Sequence, residues 1–402
     1  MGSFEDLWRS QADIGRSDAG GYRRFAWTPA DLECRAWFTD QAGSRGLAVE
    51  PDRNGNLWAW WGDPRAGDAV VTGSHLDSVP DGGGYDGPLG VVSAFAAVDE
   101  LRSRGTVPRR PVAVVCFSDE EGARFGVSCV GSRLATGVLD PDQARALRDL
   151  DGTSLAGAMA AAGVDPDRLG PDPRLLDRVG CFVELHVEQG RGLVNLGAPV
   201  GLAGRIWPHG RWRFEFTGRA DHAGTTRLAD RQDAMLPAAA MVLASRALAA
   251  ELGAHATVGR LVVEPNGTNA IASRVRAWLD ARAPEESTVR RLVERVGTEA
   301  GWAGSEHGVA VRTTEESWTP VVEFAPDTGP FTGLAEVLGD PPILPTGAGH
   351  DAGILAGVLP AAMLFVRNPT GVSHSPAEHA EPADCLAGVR ALADTLEYLA
   401  CR

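Results

Sequence analysis

The segment Val70–Val92, VVTGSHLDSVPDGGGYDGPLGVV, places charged side chains directly after a buried strand. It begins with an apolar, β-branched run typical of such a strand, and His75 and Asp77 follow at its end. A glycine triplet then leads to Asp86. In an open α/β sheet, ligands bind at the carboxyl ends of the strands. We therefore predict half of a metal site here, with the glycines allowing the backbone to turn so that Asp86 points back toward His75.

The same arrangement recurs at three other places. An acidic triplet, residues 119–121, follows the apolar run Pro111–Phe117; a second apolar strand contains His186; and a third precedes His374. Taken singly, the acids are compatible with the first turn of a helix, and a strand histidine with a hydrogen-bonded core residue. Their joint occurrence favours a hydrolytic site for divalent metal ions. A carboxylate can bridge two ions, and Asp86 is the predicted bridge.

A chain of 402 residues is too long for one ordinary core, which predicts two domains. From about residue 204 the long apolar runs give way to alternating strands and helices, a pattern typical of an α+β insert. We therefore predict an α/β protein with a discontinuous catalytic domain, residues 1–203 and 318–402. Its sheet is expected to be mostly parallel with helices on both faces. The insert, residues 204–317, is expected to contain an open antiparallel sheet.

The net charge of −15 argues against nucleic acid or an anionic membrane as a partner. The first residues lack the pattern of a secretory signal, and the longest apolar runs are too short to cross a bilayer. The six cysteines are scattered without a CxxC pair, as expected of reduced thiols. These features predict a cytoplasmic protein.

Five motifs occur in order over about residues 70–380: SHLDSVPDGGGYDG, DEEG, ELHVEQG, HAGTT and GVSHSPAE. Together they closely resemble the M20-type amidohydrolases. Within these, the sequence is similar to the branch that holds N-carbamoyl-L-amino acid hydrolases, β-ureidopropionases and allantoate amidohydrolases. The resemblance implies a metal-dependent amidohydrolase that cleaves a non-peptide C–N bond in a linear amide or ureido substrate carrying a carboxylate.

The resemblance also implies roles for individual residues. The expected metal ligands are His75, Asp86, Glu121, His186 and His374. Glu120 is the expected general base, Asp77 orients His75, and His222 helps to polarise the scissile carbonyl. The expected substrate contacts are Gln189, Asn269, Arg282 and His350. Two divalent ions per subunit are implied, zinc first, with manganese, cobalt or nickel as alternatives. The insert is expected to act as a lid and to form a homodimer.

Two arginines depart from the branch pattern. Arg227 follows HAGTT where the branch usually has proline, and Arg367 follows the last strand where proline or a small polar residue is usual. They favour a second anionic group on the substrate, as in allantoate or an N-carbamoyl or N-formyl derivative of an acidic amino acid. The alternative is that both are surface charges.

Two other functions remain open from the sequence. One is a deacylase or deformylase of an acidic N-acyl-amino acid such as N-formyl-glutamate, or a dipeptidase. The other is a catalytically inactive binding protein on the same scaffold. The presence of Glu120 and of all five expected ligands argues against the second.

Overall fold

The computed structural model describes residues 3–325 and 328–401. The chain divides into two compact units: residues 1–204 with 323–402, and residues 205–322. The second boundary lies at 322 rather than at the predicted 317, because the strand Ala310–Thr319 belongs to the smaller unit. The ends of the predicted ranges, residues 1–2 and 402, and residues 326–327 lie outside the described residues.

The described residues form two sheets. In chain order the strands are β1 Ala48–Pro51, β2 Leu57–Trp61, β3 Ala69–His75, β4 Val112–Phe117, β5 Val179–Val187, β6 Val200–Ile206, β7 His209–Thr217, β8 His255–Glu264, β9 Arg274–Arg282, β10 Ala310–Thr319, β11 Val322–Glu323, β12 Ile343–Thr346 and β13 Ala361–Val366.

Helices lie between the strands in both units. In chain order they are α1 Phe4–Gln11, α2 Pro29–Ser44, α3 Pro88–Ser103, α4 Val130–Thr136, α5 Pro141–Ala146, α6 Leu155–Ala161, α7 Pro173–Leu176, α8 Gly192–Leu196, α9 Met235–Leu252, α10 Glu286–Glu306, α11 Leu334–Val337, α12 Asp351–Leu355 and α13 Pro382–Ala400.

The large sheet is mixed, with nine strands in the order β1-β2-β4-β3-β5-β13-β6-β11 and β12 beside β6. Its four central strands, β4, β3, β5 and β13, are parallel. The pairs β1–β2, β2–β4 and β13–β6 are antiparallel. The prediction of a mostly parallel sheet therefore holds only for the centre. These central strands are buried apolar runs, as parallel strands covered on both sides require.

Helices α3 and α13 pack against each other and against the central strands. The first begins with Pro88 directly after Gly87, where the missing N–H of proline costs no helical hydrogen bond. Most of its residues are buried, as are those along one side of α13. Because the central strands are parallel, their carboxyl ends lie along one edge of the sheet, and the loops that follow them meet there.

The smaller unit contains an antiparallel sheet of four strands in the order β10-β7-β9-β8. In β7 the sequence alternates, and Gly210, Trp212, Phe214 and Phe216 are the buried members. Helices α9 and α10 pack together and against the strands. By length and composition alone α9 could span a membrane, a test that core helices of soluble proteins also pass; 33% of its apolar window is buried within the structure.

Candidate metal centre

The predicted ligands of the larger unit come from four neighbouring strand ends. His75 is the last residue of β3, and His186 lies one residue before the end of β5. Asp86 is carried by the loop between β3 and α3, and Glu121 by the loop after β4. His374 lies between β13 and α13. The parallel centre of the sheet thus brings together five residues that are as much as 299 positions apart (374 − 75).

Asp86 stands between two groups of possible ligands. Its Oδ1 lies 3.6 Å from Nε2 of His75 and 3.1 Å from Nε2 of His186. Its Oδ2 lies 3.3 Å from Nε2 of His374, which is also 3.6 Å from Oε2 of Glu121. In each group the ligand atoms all lie within 4.8 Å of one another. One carboxylate is therefore shared by two three-residue clusters, each offering histidine and carboxylate to a cation.

The two buried histidines have the orientation that metal binding needs. Nδ1 of His75 lies 3.1 Å from the carbonyl oxygen of Asp77, and Nδ1 of His186 lies 2.9 Å from that of Val187. Neither Nε2 makes a hydrogen bond within the described chain, although both atoms are buried. A ring that donates its Nδ1–H to a carbonyl presents the Nε2 lone pair to a metal ion. These two buried Nε2 atoms are therefore suited to bind the metal ions that the family resemblance implies.

Asp77 holds the site together in a way the sequence indicated only in part. Its carboxylate Oδ1 is 3.5 Å from Nδ1 of His75, so the closer contact to the ring is the backbone carbonyl. The carboxylate oxygens instead accept hydrogen bonds from the backbone N–H groups of Glu120, at 3.1 Å, and Glu121, at 3.0 Å. Asp77 therefore ties the end of β3 to the acidic loop after β4.

Negative charge is concentrated in this buried region. Burial raises the pKa of the Glu121 carboxyl well above its usual range, and the charge of Asp86 raises it further. Burial lowers the pKa of His186, but the nearby Asp86 carboxylate outweighs it and raises that pKa to about 9. Asp86 likewise raises the pKa of His374 to about 9 against an opposing effect of burial. Without metal ions, protons balance the excess acid; divalent cations are the natural alternative.

Glu120 lies beside the first cluster with one oxygen already held. Its Oε1 accepts a hydrogen bond from the Cys129 thiol at 3.2 Å. Its Oε2 lies 3.7 Å from Nε2 of His75. Burial raises the pKa of the Glu120 carboxyl, His75 opposes that rise, and the charges of Asp77 and Asp86 add to it. A buried carboxyl with a raised pKa next to a metal cluster is suited to accept and return a proton.

Residues 71–398 match the sequence profile of the peptidase family M20/M25/M40. The chain belongs to this family. It is 38% identical over 407 aligned positions to an N-carbamoyl-L-amino acid amidohydrolase of Geobacillus stearothermophilus, with 98% of each chain covered. It is 30% identical to an allantoate amidohydrolase of Escherichia coli, covering 97% of this chain and 95% of the relative. A hydantoinase/carbamoylase family amidase of Burkholderia vietnamiensis has a similar structure, with a TM-score of 0.92 and 28% sequence identity. The match covers 100% of this chain and 98% of that amidase.

In this M20 chain the glycine triplet does not serve the purpose predicted from sequence. The backbone φ of Gly82–Gly84 lies outside the left-handed region, whereas Gly87 has φ +84°. A Cβ on Gly83 would lie 2.3 Å from Oε2 of Glu378, and one on Gly87 would lie 2.4 Å from Cε1 of His75. Gly83 is required because the Glu378 side chain approaches its backbone closely, and Gly87 because of both its φ and the approach of His75.

Gln189 and His350 both lie beside the clusters. Nε2 of Gln189 donates to Oδ2 of Asp86 at 2.7 Å, so the glutamine contacts the shared carboxylate itself. The buried His350 ring packs edge-on against His186, with 4.5 Å between centroids. These two rings and Glu184 form a third group of possible ligands. Both oxygens of that glutamate already accept hydrogen bonds, from the Ser74 hydroxyl and from the backbone N–H at position 352. The substrate contacts proposed for Gln189 and His350 stay predictions.

The two unusual arginines each pair with a carboxylate of their own unit. Nε and Nη2 of Arg367 donate to both oxygens of Asp384, each at 2.8 Å. Nε of Arg227 donates to Asp230 at 2.6 Å, and 82% of the Arg227 side chain is exposed. This pairing supports the alternative that both are structural or surface charges.

The three expected site residues of the smaller unit are arranged as follows. His222 forms an isolated bridge with Ala270, which places it beside Asn269. Nδ1 of His222 accepts hydrogen bonds from the backbone N–H groups at positions 224 and 225, at 2.9 and 3.2 Å. Its proton must then lie on Nε2, as a donor to a carbonyl requires. Arg282 ends β9 and donates through Nε and Nη2 to Asp280 at 2.7 and 3.0 Å.

Three residues without a role predicted from the sequence also contact the predicted site. Cys129 holds Glu120, Ser373 lies 3.0 Å from Oδ2 of Asp86, and Glu378 accepts the backbone N–H of Asp86 at 3.0 Å. Ser373 and Glu378 lie inside the GVSHSPAE motif, which was the available signal. No comparable signal marks Cys129.

Proposed function

We propose that this chain is a di-metal amidohydrolase that cleaves a non-peptide C–N bond in a small ureido carboxylate, with an N-carbamoyl-L-amino acid as the first candidate and allantoate as the second. The observation that carries the proposal is the position of Asp86, with one oxygen facing each of two histidine–carboxylate clusters. The names of the relatives supply the substrate class.

The proposed ligands of one ion are His75, Asp86 and His186, and those of the other are Asp86, Glu121 and His374. When bound, such ions polarise a carbonyl oxygen and make water a stronger acid near neutral pH. Histidine and carboxylate ligands suit zinc, manganese, cobalt or nickel, so the metal must be identified by assay.

Glu120 moves the protons in this proposal. It takes one proton from the attacking water through Oε2, the oxygen not held by Cys129, and returns it to the leaving nitrogen. The fixed thiol contact keeps the carboxylate in one orientation during both transfers. For an N-carbamoyl amino acid the products are the free amino acid, carbon dioxide and ammonia.

The smaller unit is proposed to act as a lid and dimerisation domain and to supply three substrate contacts. The Nε2–H of His222 is the proposed donor to the carbonyl oxygen that gains charge. Asn269 and Arg282 are proposed to bind the substrate carboxylate, for which a guanidinium is well shaped. Arg282 also pairs with Asp280, so in this proposal it exchanges part of that contact for the substrate. Exposed leucines of α9 and β8 support an interface between copies: Leu236 at 47%, Leu243 at 73% and Leu261 at 46% exposure.

The pairing of Arg367 with Asp384 and of Arg227 with Asp230 reduces the case for an acidic side chain on the substrate. We therefore place N-carbamoyl derivatives of neutral amino acids ahead of those of glutamate and aspartate. Deformylation of N-formyl-glutamate is kept as the competing activity in the assay.

The test is ammonia release by the metal-reconstituted protein over a small panel. The panel contains allantoate, N-carbamoyl derivatives of neutral and acidic L-amino acids, and N-formyl-glutamate assayed for formate. Ammonia from one ureido substrate, abolished by a chelator and restored by metal, is the expected result. Formate without ammonia would move the function to deacylation. No product from any compound by a protein that binds two metal ions would contradict the proposed reaction.

A further inference from the structure

Glu378 occupies the centre of a hydrogen-bonded group beneath the shared carboxylate. Its Oε2 accepts the backbone N–H groups of Tyr85, at 2.8 Å, and Asp86, at 3.0 Å. Its Oε1 lies 2.9 Å from the hydroxyl of Ser373, and that hydroxyl lies 3.0 Å from Oδ2 of Asp86. Glu378 is 5% exposed. It therefore contacts the Asp86 backbone directly and the Asp86 side chain through one intervening residue.

The GGGYDG loop is shaped to accept this glutamate. A Cβ on Gly83 would lie 2.3 Å from Oε2 and 2.5 Å from Cβ of Glu378, so no larger residue fits unless the glutamate moves. Gly83 has no left-handed φ that would call for glycine on its own account. The space left by the missing side chain is thus filled by Glu378.

These contacts join two loops that carry different ligands. Glu378 lies four residues after His374, and its partners Tyr85 and Asp86 belong to the loop between β3 and α3. Because it binds two consecutive amides, it fixes where the Asp86 backbone lies. Ser373 contacts Oδ2 at 3.0 Å beside the Gln189 amide at 2.7 Å, so it helps to fix the rotation of the carboxylate. The backbone position and the carboxylate rotation of Asp86 must both be correct if one oxygen is to face each cluster.

We infer that Glu378 is a positioning residue for the metal centre: through the amides of Tyr85 and Asp86 and through Ser373, it holds Asp86 in the orientation that lets one carboxylate serve two ions. This inference rests on the metal centre of the proposed function. Removing a residue that orients a metal ligand typically lowers metal affinity by about 10- to 100-fold. A residue that merely anchored a loop would lower stability and leave the affinity of the folded protein unchanged.

The variants are Glu378→Ala, which deletes the acceptor, and Glu378→Gln, which keeps it. A glutamine Oε1 can accept both amides while its Nε2 donates to Ser373, so this variant should restore the group of hydrogen bonds. Gly83→Ala displaces the glutamate without altering any proposed ligand. Glu381→Gln is the matched control, because Glu381 lies three residues away and bonds only weakly, at 3.3 Å, to His379.

The measurement is titration of the full-length, metal-free protein with Co²⁺, followed by visible absorption and by bound cobalt per chain. Absorption reports ligand geometry and needs no substrate. We expect Glu378→Ala and Gly83→Ala to bind cobalt at least about tenfold more weakly with an altered spectrum. Glu378→Gln is expected to stay within about threefold of the original protein, because it keeps the hydrogen bonds that position the ligand. The control should be unchanged.

Folded Glu378→Ala protein with the original affinity, stoichiometry and spectrum would overturn the inference. If that variant does not fold, Gly83→Ala, which displaces the Glu378 carboxylate, decides in its place by the same criteria. Failure of the proposed function looks different. An original protein that binds no cobalt would refute the metal centre and this inference with it. Two bound ions without ureido hydrolysis would refute only the substrate and leave the role of Glu378 intact.

Discussion

The Cys129 thiol donates a hydrogen bond of 3.2 Å to Oε1 of Glu120, and both side chains are buried. The backbone N–H of Cys129 also donates to the carbonyl oxygen of Glu120, at 2.6 Å. Two bonds from one residue therefore fix the proposed general base, one at its backbone and one at its carboxylate. Oε2 is left as the oxygen that can exchange protons.

We predict that Cys129→Ala lowers kcat by about 2- to 10-fold, the equivalent of one hydrogen bond of ~0.5–1.5 kcal/mol, because a thiol is a weak donor. Because the thiol is not proposed to touch substrate, KM should change much less. Cys129→Ser keeps a donor and should recover most of the rate. Cys401→Ala, which alters a half-buried thiol near the end of the chain, is the control. Equal rates for Cys129→Ala and the original protein would remove Cys129 from the mechanism.

The role of Glu120 is tested by Glu120→Gln, which keeps the size of the side chain and removes its basicity. General acid–base catalysis contributes about 10²–10⁴ in rate, so kcat should fall by that factor. The proposed metal ligands are untouched, so bound metal per chain should stay at two ions. The exposed Glu336→Gln is the control. A Glu120→Gln enzyme within tenfold of the original rate would show that another group moves the proton.

The sequence was sufficient to predict residues that share a motif and a strand end. His75, Asp86 and His186 follow apolar runs whose parallel pairing brings them to one edge, so strand patterns and motifs predicted their proximity. The turn at Asn54–Asn56 predicts a hairpin that ends in LWAWW, and the antiparallel pair β1–β2 confirms it. The antiparallel pairing of β2 with β4 was not predicted, because a short apolar run is compatible with either direction.

Contacts between distant segments could not be predicted in the same way. Glu378 meets the amide of Tyr85 across 293 positions, and no local pattern encodes that approach. The three glycines suggested a tight turn, whereas in the structure they leave room for Glu378, for the Tyr22 ring and for the loop's own backbone. The pairing of Arg367 with Asp384 likewise depends on where α13 packs, which composition and periodicity do not specify.

Removal of a ligand from one cluster should abolish one metal site and leave the other able to bind its ion. His186→Ala deletes a ligand of the cluster that contains His75 but leaves Glu121 and His374 in place. We expect the purified variant to bind about one ion fewer per chain and to lose activity, since catalysis needs both ions in the proposal. Metal content by mass spectrometry checks this, with His307→Ala as the control. Two tightly bound ions in His186→Ala protein would contradict the assignment.

The stabilising effect of metal should grow with pH. In the metal-free protein, the pKa values of His186 and His374 are raised to about 9, above the ordinary value of 6.5. Their protonation therefore stabilises the fold fully below pH 6.5, and this contribution is lost as pH rises through 9. A metal ion replaces those protons and meets less competition at higher pH. The difference in Tm with and without Mn²⁺ should thus increase from pH 6.5 to 9. A constant difference over this range would contradict the proposed ligands.

Alanine substitution should mainly change stability at Arg367 and mainly change KM at Arg282. Arg367→Ala leaves the buried Asp384 carboxylate unpaired, so it should lower the free energy of unfolding by about 1–3 kcal/mol with little change in KM. Arg282→Ala removes the proposed partner of the substrate carboxylate, so it should raise KM at least about tenfold, since a charge-assisted hydrogen bond contributes roughly 1.5–3 kcal/mol. Urea denaturation and steady-state kinetics on both variants check the pair. A large KM effect from Arg367→Ala alone would instead restore the acidic substrate as the leading candidate, because Arg367 would then act on the ligand rather than on α13.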